Sequence, residues 1–276
     1  MKTRKPAVAG KFYPRIKTGI EKLLDEILYK EKNDIQYSLS ENNIIGGIVP
    51  HAGYMFSAYQ AVHFYEILRN SNQQFDTFII INPNHTGHGE YISIDSNDIW
   101  ETPLGNVNID DDFRSLAQFP ISPDAQKLEH SAEVQLPMLQ YFLDYEFQIL
   151  PITMSVQNIG NAKLIANTIY KVNQQLRKNI CLIASSDFSH FVEPNEGRRL
   201  DRFVIDEILK LNSRGVQKEV EEKNISVCGY GPIMTLMEYS KQISNTPKVK
   251  VLKMGNSGEV VPSNEVVDYV GLIFTH

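Results

Sequence analysis

Six side chains in this sequence carry the chemistry of a metal or reaction centre, and most of them sit at the same kind of place. His51 comes one residue after the apolar, β-branched run Ile-Ile-Gly-Gly-Ile-Val at 44–49, which reads as a buried strand. His85 follows a second such run at 76–81, and Asp187 and His190 follow a third at 180–184. Cys228 precedes a predicted helix whose first turn holds Pro232, a favoured place for proline. His130 lies in Glu129-His130-Ser131-Ala132-Glu133, bracketed by two carboxylates that one helix face would share. In open α/β sheets, sites form outside the carboxyl ends of the strands, so parallel strands would bring these residues to one edge.

Two neutral imidazoles are good ligands for iron, copper or zinc, and a thiolate adds a soft anionic ligand. Three protein ligands with an open position describe a catalytic or redox metal site better than a closed structural one. His51, His85 and Cys228 are the candidate ligands, and a helix N-terminus beside Cys228 is expected to lower its thiol pKa. The same residues also allow a nucleophile–base pair, which needs one histidine to orient the other and a preformed oxyanion hole. No Gly-x-Ser-x-Gly turn supports a hydrolase. Asp187 and His190 form either a proton-transfer unit near bound substrate or a local cap. His130 either lines the same cleft or caps a turn. Cys181, between Ile180 and Leu182, reads as a small buried hydrophobe; His63, His88 and His276 carry weaker signals.

Strands alternating with helices predict one α/β domain over 1–276, a mixed, largely parallel sheet flanked by helices. Thr18 is the expected cap of a helix with its stripe at Ile20, Leu23, Leu24, Ile27 and Leu28, and 31–43 reads as a polar loop. Ser57 is the expected cap of the next helix, and 91–109 holds two or three short strands with a turn at 102–105. Asp110 caps a helix through Leu116; a helix from Ser131 through Phe142 contains Pro137, which predicts a kink or a late start. A strand at 147–152, helices at 158–177, 196–211 and 213–222, and strands at 248–253 and 266–274 complete the pattern.

The chain's 276 residues suffice to bury a sizeable core. A net charge of -6 argues against a nucleic-acid-binding surface as the main function. No segment reaches the roughly 18 apolar residues of a membrane helix, and no apolar stretch follows the basic start to make a signal peptide. Two cysteines make no disulfide framework, so a reducing cytoplasm is expected.

Six segments, in order, resemble the Memo family over nearly the whole chain. They are Pro6 to Pro14, Pro50-His51-Ala52-Gly53-Tyr54, Asn82-Pro83-Asn84-His85, Glu129 to Pro137, Ser185-Ser186-Asp187-Phe188-Ser189-His190 and Cys228-Gly229-Tyr230-Gly231-Pro232-Ile233. That family is structurally similar to the LigB-type class III extradiol dioxygenases, which hold non-haem Fe(II) with two histidines and a glutamate. The resemblance implies a LigB-like α/β fold, with His51 and His85 at the histidine positions and His190 at the acid/base position. Cys228 stands where the glutamate would be, which softens the site and adds a redox-active ligand. Asn82 before Pro83, where members often carry Gly, is a milder departure, as Asn tolerates turns. The resemblance also implies AMMECR1-like and radical SAM partner proteins.

Three functions follow as expectations. One is an iron or copper protein, with zinc as a further candidate. Another is an extradiol-type dioxygenase using His190, Asp187 and His130. The last is a peptide- or protein-binding module whose cleft uses Tyr13, Tyr54, Phe56, Trp100 and Tyr230.

Overall fold

The computed structural model describes residues 1–276. In chain order, β1 (Thr3–Arg4) and α1 (Lys17–Glu31) precede β2 (Ile44–Val49), α2 (Tyr54–Arg69) and β3 (Thr77–Pro83). Next come β4 (Ile92–Ile94), β5 (Ile99–Thr102), β6 (Gly105–Ile109), α3 (Asp111–Ala117), α4 (Gln135–Phe142) and β7 (Gln148–Met154). The chain continues through α5 (Ile159–Leu176), β8 (Ile180–Ser185), β9 (His190–Val192), α6 (Pro194–Leu209) and α7 (Ser213–Glu222). It ends with α8 (Tyr230–Ile243), β10 (Lys248–Asn256) and β11 (Val266–Thr275).

The strands form one mixed sheet in the order β1-β5-β6-β7-β3-β8-β2-β11-β10, with β4 added on β7 and β9 on β11. Its centre, β6-β7-β3-β8-β2, is parallel throughout, whereas β11 runs antiparallel to both β2 and β10. Every residue of β2, β3 and β8 is buried, as expected of parallel strands covered on both faces. α2 packs against β2, β10 and β11, backed by α1 and α4; α8 packs against β2, β3 and β8, backed by α5 and α7.

The two glycines of β2 set how closely these layers approach. A Cβ on Gly46 would lie 2.1 Å from the Leu182 carbonyl oxygen, and one on Gly47 would lie 2.4 Å from the Phe64 ring on α2. Neither position has room for a methyl group, and at Gly46 the obstacle is backbone, which cannot rotate aside.

The N-terminal segment is tied to the middle of the chain by a buried ion pair. Arg4 Nη1 donates to Glu133 Oε2 at 2.6 Å, and the guanidinium also donates to the Gln126 and Glu129 carbonyls. Its plane lies 4.1 Å from the Trp100 ring centroid, a cation–π contact. Glu133 accepts three more hydrogen bonds, from the Ala7 and Val8 N–H groups and the Tyr13 hydroxyl. A buried charge is tolerated only when paired and hydrogen-bonded in this way.

Several boundaries differ from expectation, each for a local reason. α1 begins at Lys17 with no side-chain cap, so Thr18 lies inside its first turn. α2 begins at Tyr54, after Gly53; Ser57 is within it and donates to the Ala52 carbonyl at 2.9 Å instead of capping N–H groups. α4 makes the late start that Pro137 predicts: it begins at Gln135 rather than Ser131, which leaves Pro137 in the first turn where its missing N–H costs nothing. Glu129 and Glu133 therefore precede the helix and share no helix face. Asp110 does cap α3, accepting from the Phe113 N–H at 3.0 Å. The loop 31–43 contains a 3-10 turn, and the three-residue strand β9 has no signal in the sequence pattern.

Replacing Gly46 by alanine is expected to destabilise the fold by at least about 3 kcal/mol in urea unfolding, the upper end for overpacking. A loss below about 1 kcal/mol would show that β2 and β8 can part to admit the methyl group.

Candidate metal centre

β3, β8 and β2 are consecutive, parallel strands, and their carboxyl ends deliver His85, Asp187 and His51 to one edge. Cys228 reaches the same edge from the loop before α8. Its Sγ accepts from the Asp187 N–H at 3.2 Å and lies 3.1 Å from His51 Nε2. One ligand atom from each of His51, His85 and Cys228 falls within 4.8 Å of the others.

Each imidazole is held through Nδ1, which leaves Nε2 with its lone pair. His51 Nδ1 is 3.0 Å from Ser185 Oγ. That hydroxyl donates its one proton to the Ser131 carbonyl at 2.6 Å, so Nδ1 is the donor toward it. His85 Nδ1 lies 2.9 Å from Glu129 Oε1, and the His85 N–H donates to Glu129 Oε2 at 2.6 Å. A carboxylate only accepts, so His85 is also protonated at Nδ1. His190 Nδ1 faces the Ser226 carbonyl at 2.8 Å, and the His190 N–H donates to Ser226 Oγ. An outer acceptor that fixes the tautomer in this way is the usual support of a metal-ligating histidine.

The supports are themselves buried and connected. Glu129 Oε1 also accepts from the Ser131 N–H at 3.0 Å and the Ser131 hydroxyl at 2.7 Å. Burial by itself raises the Glu129 pKa, but the hydrogen bond and charge of His85, the Ser131 N–H and His130 together bring it down to about 2. Gln135 Nε2 donates to the Pro50 carbonyl at 3.1 Å and to Ser185 Oγ at 2.9 Å, and its Oε1 accepts from Tyr65 OH at 2.5 Å. Asn82 is not a turn residue. It is buried within β3, donates to Ser131 Oγ and accepts from Gln126 Nε2, so its side chain joins this same network. Sequence reasoning singled out none of Ser131, Gln135, Ser185 or Ser226, and missed the clamp formed by Glu129.

His130 joins the cluster without an equivalent hold. Its ring centroid is 4.6 Å from that of His85 and 5.4 Å from that of His51, and Phe12 packs on it at 4.5 Å. His85, Glu129 and His130 form a second close group, but both Glu129 oxygens are already committed to His85 and Ser131. Asp187 does not cap its own turn. Its Oδ1 accepts the His51 N–H at 2.7 Å, and Oδ2 lies 3.9 Å from His51 Nε2.

Burial, then the neighbouring His130 and His85, pushes His51 well below the usual imidazole range, so it is neutral, the form in which imidazole binds metals. Burial likewise raises Asp187, against the lowering effect of the His51 N–H. Cys228 departs from expectation: burial first, then the Asp187 carboxylate, push its thiol well above the ordinary value. Gly229, not Cys228, is the N-cap of α8, and burial and the Asp187 charge outweigh any help from the helix N-terminus. The thiol thus needs a cation, not the helix, to become a thiolate.

The Cys228–His51 contact also has the form of a nucleophile–base pair, but the amides beside the sulfur are not free to serve as an oxyanion hole. The Cys228 N–H donates to the Asp187 carbonyl at 3.3 Å, and the Gly229 N–H donates to Ser186 Oγ at 3.0 Å. Both amides flanking the sulfur are therefore occupied. A Cβ on Gly229 would sit 2.4 Å from the Ser185 carbonyl oxygen, so the close approach of this loop to β8 requires glycine. His51 is 2% exposed whereas the His85 side chain is 35% exposed, which makes the His85 side the entrance. Of the aromatic residues expected at the cleft, Tyr13, Tyr54 and Trp100 are buried, with Tyr54 OH donating to the Val134 carbonyl and Trp100 Nε1 to Asp95. Phe56 lines a different depression, beside Tyr59 and Lys253.

Fold and site together describe an α/β protein with a candidate two-histidine, one-cysteine metal centre at the carboxyl ends of parallel strands. The chain belongs to the Memo family, as the model for "Memo-like protein" matches residues 4–273. It is 40% identical over 281 residues to a MEMO1 family protein of Methanosarcina barkeri, covering 98% of this chain and 99% of that one. A MEMO1 family protein of Sulfolobus acidocaldarius is 38% identical over 283 residues, covering 98% and 99%. Among solved structures, an uncharacterised protein of Escherichia coli K12 is similar with a TM-score of 0.44 and 11% identity, covering 76% of this chain and 91% of that one. No helix is long and apolar enough to cross a membrane.

Gln135→Met keeps the volume but strands the Pro50 carbonyl and the Tyr65 hydroxyl. At about 1–3 kcal/mol for each of these two buried groups left unpaired, urea unfolding should show a loss of about 2–6 kcal/mol. A near-neutral result would mean that this network does not hold the end of β2.

Proposed function

We propose that the protein binds iron or copper through His51 Nε2, His85 Nε2 and Cys228 Sγ, and that a fourth position, open toward His85, receives a small ligand. The convergence of one ligand atom from each of these three residues within 4.8 Å carries the reading. It is supported by the donor set, since two imidazoles and a thiolate suit iron or copper better than a hard cation. When bound, such an ion supplies Lewis acidity and a one-electron couple at the open position.

The remaining residues serve the centre in separate ways. Glu129 and Ser185 orient the two imidazoles. Asp187 binds the His51 backbone and adds negative charge beside the sulfur, favouring a cation there. His190, protonated at Nδ1 toward Ser226, presents Nε2 as the group that takes a proton from a bound ligand and returns it. Phe12, packed on His130, shields one side of the cleft from water.

Metal content after purification without chelators is the first test. Wild type and His88→Ala, an exposed control, are expected to retain iron or copper, whereas His85→Ala and Cys228→Ser should lose most of it. Equal content in all four proteins would overturn the reading. Glu129→Gln should leave the ligands in place yet weaken metal affinity by about 10–100-fold, the usual effect of losing an outer carboxylate. Titration with a competing chelator measures this, and an unchanged affinity would remove Glu129 from its assigned role.

A further inference from the structure

The loop from Asp187 to His190 is gripped from behind as well as from the cleft. The Ser189 N–H and hydroxyl donate to Asp201 Oδ1 at 3.1 and 2.6 Å. The Asp268 N–H donates to the Ser189 carbonyl at 2.8 Å, and the Phe188 N–H donates to the Asp268 carbonyl at 2.9 Å. Asp201 comes from α6 and Asp268 from β11; they are 0% and 3% exposed. The Oδ2 atom of each is buried and meets no N–H or hydroxyl donor, and both carboxyls border the same cavity. Two neighbouring buried carboxyls whose outer oxygens meet no donor are costly when both are ionised, so one of them is held as a carboxylic acid.

We propose that Asp201 and Asp268 are positioning residues for His190, sharing a single proton that holds the Asp187–His190 loop in place. The proposal rests on the reading of His190 as the proton-holding group of the centre, but its test is independent of the metal. Burial first, and then the charge of Asp268 set against the Ser189 hydrogen bonds, holds Asp201 up at about 8. Burial also raises Asp268, to about 6, although the neighbouring Asp201 carboxyl and the charge of Arg198 lower it. The pair therefore holds one proton between its two carboxyls. The other charged or titratable groups facing the pair are Arg198 on α6, Glu259 after β10, His190 on β9 and Tyr269 on β11. Arg198, Glu259 and Tyr269 line, with the pair, a cavity of about 200 Å³ through which the proton can exchange.

The sign of the pH dependence follows. A carboxyl whose folded pKa is raised keeps a proton that the unfolded chain has released. The stability it contributes is complete below about pH 4, the unfolded value, and falls as pH rises toward the folded value. For Asp201 that decline ends near pH 8.

Asp201→Asn is the decisive variant. Its amide oxygen still accepts from Ser189, and its amide N–H can donate to Asp268 with no proton to lose. Thermal unfolding midpoints of wild type should fall between about pH 5 and about pH 8, while those of Asp201→Asn fall less and lie above wild type at the alkaline end. The His190 ring resonance in NMR spectra of the full chain should show an inflection near pH 8 in wild type that the variant lacks. Asp201→Ala should displace that resonance at every pH by removing the acceptor for Ser189. Parallel unfolding curves, or a His190 resonance indifferent to both substitutions, would overturn the proposal. If Asp201→Asn does not fold, Asp268→Asn removes the same shared proton and decides by the same two readouts. Loss of metal from Cys228→Ser enters neither readout, so the two readings stand or fall separately.

Discussion

A buried carboxylate, Glu133, is the constraint from which the rest of the molecule takes its order. It collects Arg4, two backbone N–H groups and the Tyr13 hydroxyl, and in doing so fastens residues 4–13 across the middle of the fold. That segment then presents the Phe12 ring to His130 and the Phe12 carbonyl to the Tyr54 N–H, where α2 begins. Four residues before Glu133, Glu129 clamps His85, and two residues after it, Gln135 ties the end of β2 to Ser185. One irregular stretch of seven residues thus sets the N-terminus, the start of a helix and two of the three candidate ligands. A lone carboxylate at such depth would be costly, which is why its partners come as a complete set.

The parts of this arrangement that were legible in the sequence are those with a period. Runs rich in apolar and β-branched residues at 44–49, 76–81 and 180–184 identify three central strands, and their flanking residues place His51, His85 and Asp187 at neighbouring carboxyl ends. Residues 129–135 have no period, because their side chains answer to partners more than forty residues away. Their roles are therefore set by tertiary contacts, and only a family resemblance marks the stretch as special. The misplaced caps share that origin. Thr18 and Ser57 are good caps in isolation, but the backbone entering each helix is fixed elsewhere, by Pro14 beside Gly19 and by the bond from Tyr54 to Phe12.

Cys228 illustrates the limit of local rules from the other direction. A cysteine just before a helix invites the expectation of an acidic thiol. Desolvation and the Asp187 carboxylate outweigh the helix dipole, whose effect fades beyond its first turn. The same carboxylate that disfavours a bare thiolate favours a cation beside it. The electrostatics around the sulfur thus select for occupancy by positive charge over free nucleophilicity, in keeping with the occupied amides at Cys228 and Gly229.

The strand order has a consequence for how the protein is made. β2 leaves the ribosome early, yet its two neighbours in the sheet are β8 and β11, the second of which is the last element of the chain. One edge of this apolar strand with two glycines therefore stays open until β8 is made, and the other until β11 is made, an invitation to pair wrongly with another chain. β9, which carries His190, likewise waits for β11. Translation order thus delays the cleft until β11 arrives, so the proposed centre is assembled only after most of the helices that surround it have been made.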